Sequence, residues 1–145
     1  MPGWLRTLLE KGGQVVTVNQ IGNDGKLKKV SYVTNETPGI LPVLARLCES
    51  DPTLDYVYLC SPGVRHISKL KNEGGFCGYR NIQMMFSYII AAAAPGHQVF
   101  DGKVPTIFQI QDVIEDAWEN GINAIGRVET GGIKGTRRYI GTPEV

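Results

Sequence analysis

The stretch Glu73-Gly-Gly-Phe-Cys77-Gly-Tyr-Arg-Asn81 sets a cysteine between glycines directly ahead of an apolar run, and it constrains the fold more than any other part of the chain. The run, Ile82 to Ala94, is long enough for a helix and stops at Pro95-Gly96. Ile82, Met85, Phe86, Tyr88, Ile89 and Ile90 place apolar side chains nearly all round it, which predicts a helix at the centre of a domain. Cys77 then falls in the first turn, where unpaired backbone N–H groups and the helix dipole favour an anion. The thiolate is the nucleophilic form of cysteine, so this is a chemically useful place for a catalytic thiol. A small buried cysteine at a helix start is the alternative reading of the same position.

Elsewhere the pattern alternates between helix and strand. Trp4, Leu5, Leu8 and Leu9 mark a short amphipathic helix stopped by Gly12-Gly13. Gln14 to Ile21 and Lys28 to Val33, joined through Asn23-Asp24-Gly25, read as a β-hairpin. Asn35 to Gly39 reads as a loop, and Ile40, Val43, Leu44 and Leu47 mark one face of a helix ending near Glu49, with Pro42 tolerable in its first turn. Tyr56 to Cys60 reads as a short buried strand between Pro52 and Pro62. Thr106 and Gln109 form a capping box opening a helix with Ile107, Ile110, Val113, Ile114, Ala117 and Trp118 inward. Asp112, Glu115 and Asp116 fall on its polar, solvated side, and the glycine-rich segment from Asn123 to Thr136 reads as an exposed loop. The sum is an α+β chain, divided at residue 39 into an N-terminal helix and hairpin (1–39) and a second part (40–145).

Composition narrows the function classes. A net charge of +1 and a hydrophobic fraction of 42% give no electrostatic footprint for nucleic acid or a membrane surface. The longest apolar stretch is far too short to span a bilayer. Cys48, Cys60 and Cys77 are odd in number, widely spaced and without a Cys-x-x-Cys pair, so neither a disulfide framework nor a zinc site is expected. Three reduced thiols fit a cytoplasmic or nuclear setting. No cofactor is called for.

Gly75-Phe-Cys-Gly-Tyr-Arg-Asn-Ile-Gln-Met84 resembles the nucleophile motif of the ubiquitin-fold-modifier-specific proteases. It is most similar to their zinc-finger-bearing deubiquitinase branch, where Gly-Trp-Gly-Cys-Gly-Tyr-Arg-Asn is usual. Gly75 and Phe76 stand where that run has Trp and Gly, which alters the pocket rim and leaves the nucleophile in place. A second block agrees in order: Ile114-Glu-Asp-Ala-Trp118, then Gly135-Thr136, Ile140-Gly141 and Glu144-Val145. The resemblance spans roughly Leu41 to Val145. It implies a papain-like cysteine peptidase core, with Cys77 attacking the C-terminal glycine of ubiquitin or a ubiquitin-like modifier. The hydrogen-bonding groups of Tyr79, Arg80 and Asn81 suit them to brace the loop that carries Cys77.

The family's catalytic His and Asp follow the Gly-Thr…Ile-Gly block, and this sequence carries only His66 and His97, neither at the family's base position. The expectation is therefore an incomplete core, the N-terminal portion with the nucleophile helix, inactive by itself. Its apolar helix would then favour self-association. The competing expectation is a catalytically inactive fragment, or pseudo-enzyme, that binds a ubiquitin-like modifier. An autophagin-type thiol protease shares the Gly-Trp-Gly-Cys motif, but the Gly-Tyr-Arg-Asn continuation and the second block favour the first family.

Overall fold

The computed structural model describes residues 1–144; Val145, the last residue of the second motif block, lies outside them. The described residues form five α-helices and two small antiparallel sheets, in the order α1 (Gly3–Lys11), β1 (Val15–Ile21), β2 (Leu27–Val33), β3 (Glu36–Thr37), α2 (Ile40–Glu49), β4 (His66–Ile67), α3 (Cys77–Ala91), α4 (Ile107–Glu119) and α5 (Ile125–Thr130), closed by a 3₁₀ turn at Thr142–Glu144. The mixture is α+β, as the pattern predicts.

One core joins the two ends of the chain. Leu5 and Leu9 of α1 pack with Phe76 and Tyr79 at the start of α3, with Ile107, Ile110, Ile114 and Trp118 of α4, and with Ile133 and Ile140. The α4 face forms because its apolar residues recur at helical spacing behind a complete capping box. Thr106 Oγ1 accepts from Gln109 N at 3.2 Å, and Thr106 N donates to Gln109 Oε1 at 2.8 Å. The β1–β2 hairpin runs in register from Val15 opposite Val33 to Ile21 opposite Leu27. Gly25 takes the left-handed φ of 72° that its turn requires. Both hairpin faces are largely exposed.

Several expectations are corrected. Tyr56 to Cys60 is neither buried nor a strand: all five residues are exposed, Tyr58 at 92%. An apolar run becomes a strand only where another strand accepts its hydrogen bonds. Here its order is local, with the Tyr56 and Tyr58 rings edge to face at 5.7 Å. Asn35 to Gly39 contributes a strand instead, Glu36 pairing with Ile67 and Thr37 with His66. The segment from 123 to 136 holds α5, and Ile133 is fully buried. On α4, Val113 faces out and Glu115 faces in, the reverse of the periodic reading.

The largest correction concerns α3. It ends at Ala91, three residues before the end of the apolar run, where Ala93 turns left-handed at φ 48°. Its buried residues are Tyr79, Arg80, Gln83 and Ser87, while Met85 and Tyr88 are exposed. The helix thus turns a polar stripe inward and leaves apolar side chains facing out.

Candidate active site

Cys77 is the first residue of α3 and is exposed, which removes the reading of a buried structural thiol. No side chain caps this helix end, so its first-turn N–H groups have no side-chain partner there. Gly74 precedes it at φ 86°, a conformation open to glycine and costly for other residues. What holds the thiol in place comes from the two residues that follow Gly78.

Arg80 ties down the loop ahead of Cys77. Its guanidinium makes a two-pronged pair with Glu73, Nε to Oε1 at 3.1 Å and Nη2 to Oε2 at 2.7 Å, with both side chains buried. Glu73 Oε2 also accepts from Leu70 N at 2.9 Å. The third guanidinium nitrogen donates to Gln83 Oε1 at 2.8 Å, and Gln83 Nε2 donates to the Pro105 carbonyl at 2.7 Å. A continuous buried chain therefore runs from residue 70 through the first turns of α3 to the start of α4.

Tyr79 ties down the loop on the other side. Its hydroxyl donates to Arg138 O at 3.3 Å and accepts from Gln111 Nε2 at 3.4 Å. Gln111 Oε1 accepts from Gly135 N at 3.0 Å, and Glu115 Oε1 accepts from the backbone N–H groups of Ile133 and Lys134. Gly78 then lies directly against Ile140, whose carbonyl oxygen would be 2.4 Å from a Cβ at that position. Consecutive helical residues point about 100° apart, which lets Tyr79 and Arg80 secure different loops.

Burial and the nearby Glu115 carboxylate push the Tyr79 hydroxyl up to about 12, against the weaker opposing hydrogen bond from Gln111. An ordinary tyrosine titrates near 10. With the folded value raised, its stabilising contribution is complete below pH 10 and is lost as pH climbs from about 10 to about 12. We therefore expect the urea midpoint to fall across that window. Tyr79→Phe should flatten the dependence, and an unchanged slope in that variant would refute the assignment.

A cleft of about 290 Å³ flanks the outer side of α3, lined by Asn81, Ile82 and Met85 on the helix and by Tyr139, Ile140 and Thr142 opposite. Asn81 is exposed there, so of the three expected bracing residues Tyr79 and Arg80 have the geometry of a brace and Asn81 sits at the rim. His66 is exposed on β4, and the His97 Nδ1 lies 2.9 Å from Ala94 O. Among the described residues neither histidine is hydrogen-bonded to Cys77. Nor does any cluster of three His, Cys, Asp or Glu among them form a metal-binding group. Among the described residues no helix is long and apolar enough to cross a membrane.

Sequence reasoning missed Glu73, Gln111 and Glu115 as parts of this arrangement. Glu73 carried a usable signal, being an acid seven residues before an arginine in a glycine-rich loop, too far for a helical pair yet within reach of a loop that folds back. Gln111 and Glu115 carried a weaker one: they stand four apart, hence on one helix face.

Residues 53–145 match the pattern of peptidase family C78. Over 125 residues, 85% of this chain, it is 34% identical to the zinc finger-containing ubiquitin peptidase 1 of Bos taurus and to that of Homo sapiens, and 33% identical to that of Mus musculus. The matched region is 20% of each relative, so the chain spans about a fifth of the length of the curated relatives it matches. No solved structure matches it. With well over half of its residues inside the family pattern, and with Cys77 and its two-sided brace inside that stretch, this chain belongs to peptidase family C78.

Proposed function

We propose that this chain carries the nucleophile portion of a papain-like thiol peptidase that releases ubiquitin or a ubiquitin-like modifier. The observation that carries the reading is the placement of Cys77, exposed at an uncapped helix start between two loops fixed by buried hydrogen bonds. Membership of a peptidase family and similarity to ubiquitin peptidases supply the substrate class.

In this reading the Cys77 thiolate attacks the carbonyl carbon of the modifier's C-terminal glycine. The negative charge that develops on the carbonyl oxygen is met by first-turn N–H groups of α3. The C–N bond then breaks, the amine leaves with a proton from the protonated base, and the modifier remains as a thioester. Water hydrolyses the thioester, returning the thiol and a free carboxylate. A Gly-Gly tail suits the approach because it brings no side chains. The base in such a step is an imidazole, and neither His66 nor His97 is hydrogen-bonded to Cys77 among the described residues.

The test is capture of the purified chain by ubiquitin, and separately by ubiquitin-fold modifier, each bearing a C-terminal vinyl ester. Such an electrophile needs no leaving-group acid. Modifier binding should bring it to Cys77 and raise the rate over Cys60, which is also exposed, by at least about tenfold. A single adduct mapped to Cys77 and lost in Cys77→Ala is expected. Equal labelling of Cys60, or an adduct that survives Cys77→Ala, refutes the nucleophile. Saturable modifier binding without any adduct favours the second reading, a modifier-binding pseudo-enzyme, which the unpartnered position of Cys77 relative to both histidines supports.

A further inference from the structure

A second concavity, of about 620 Å³, shares no lining residue with the cleft beside Cys77. It lies between the open end of the hairpin at Val15 and Val33, the loop from Val99 to Pro105, and the buried Arg80 and Gln83. Its volume is within the range of sites that hold small organic ligands, about 300–1,000 Å³. Most polar groups on its walls are already engaged. Arg80 is committed to Glu73 and Gln83, Gln83 to Arg80 and Pro105, and Arg65 to Glu36 at 3.0 Å.

Asn35 is the exception. It is 3% exposed and lines the cavity, and its Oδ1 is the buried side-chain polar atom without a hydrogen-bond partner among the described residues. The amide cannot simply be reversed, because Nδ2 donates to Ser68 O and a flip would set oxygen against oxygen. An unpaired buried acceptor is costly, so a ligand that supplies a donor gains the energy the protein forgoes without it.

The charges on the walls define the rest of the ligand. On the walls Arg65 offsets Glu36, Asp101 and Lys103 carry one charge of each sign, and the Arg80 charge is offset by Glu73, which does not itself line the cavity. The sum is zero, and the apolar surface comes from Val15, Val33, Ile67 and Val99. We propose that this cavity binds a short uncharged peptide segment, one N–H of which donates to Asn35 Oδ1 while its side chains pack on the valine-lined walls. A peptide combines a neutral donor with apolar side chains in one chemistry, and both are what the walls leave unfilled.

The probe is acetyl-Val-Val-methylamide, titrated into isotope-labelled protein and followed by amide chemical shifts. Saturable shifts should concentrate on Gly12, Gly13, the Asn35 side-chain amide and residues 99–104. Methylating every peptide nitrogen of the probe removes its donors and should weaken binding on the order of tenfold, as should Asn35→Leu. If Asn35→Leu does not fold, the methylated probe on the unaltered protein decides alone. Absence of saturable shifts, shifts centred on Gly78 and Ile140, or equal affinity for the methylated probe would each overturn the proposal.

Discussion

Gly78→Ala is expected to destabilise the fold by roughly 1–3 kcal/mol and to slow modifier capture at Cys77, although alanine is the better helix former. Propensity alone would favour the substitution by about 1 kcal/mol. Sterics win because the added Cβ would lie 2.4 Å from Ile140 O and 3.4 Å from Ile140 C, both backbone atoms that no rotamer change can move. Either the start of α3 or the segment at Ile140 must shift, and Cys77 is on one side of that contact. Gly75→Ala is the control. Its Cβ would meet nothing nearer than Tyr139 Cβ at 4.0 Å, so stability should hardly change. Urea midpoints and the adduct rate at Cys77 relative to Cys60 measure the two effects. Equal midpoints for the two variants would show that the close approach at Gly78 is not needed.

That contact also marks the limit of what the sequence makes legible. The glycine on each side of Cys77 is visible at once, but the partner of Gly78 lies 62 positions along the chain. Features decided within a few residues came through: α1, the hairpin with its Asn-Asp-Gly turn, and the Thr106–Gln109 capping box. Periodicity reports whether a residue is apolar, and it then equates polar with exposed. At the site this rule fails, because Arg80, Gln83, Gln111 and Glu115 are buried and satisfied by distant backbone or by one another. The same rule misplaced Tyr56 to Cys60, where apolar character had no strand to pair with. The place of Cys77 at a helix start was legible through the Gly-Phe-Cys-Gly-Tyr-Arg-Asn motif, whereas the brace depends on tertiary partners that no local window contains.

The larger effect is expected at the buried pair. Glu73→Leu removes the carboxylate and leaves the Arg80 guanidinium, itself shielded from solvent, without its counter-charge. Breaking such a pair from one side costs about 3–5 kcal/mol, whereas replacing both members with apolar residues of similar volume is often neutral. The double variant Glu73→Leu/Arg80→Met should therefore recover part of the loss. Full recovery is not expected because Leu70 N and Gln83 Oε1 lose their partners as well, at about 1–3 kcal/mol for each group left buried and unpaired. Urea unfolding of the two single variants and the double closes the cycle, and additive single costs would refute the coupling. The cycle also separates stability from placement of the thiol. If the pair serves only to hold the fold together, the double variant should regain modifier capture along with its stability. If the pair aligns the loop that delivers Cys77, stability returns and the rate at Cys77 stays low while that at Cys60 is unchanged, which is the outcome expected from an ion pair that reaches from residue 73 across Cys77 to residue 80.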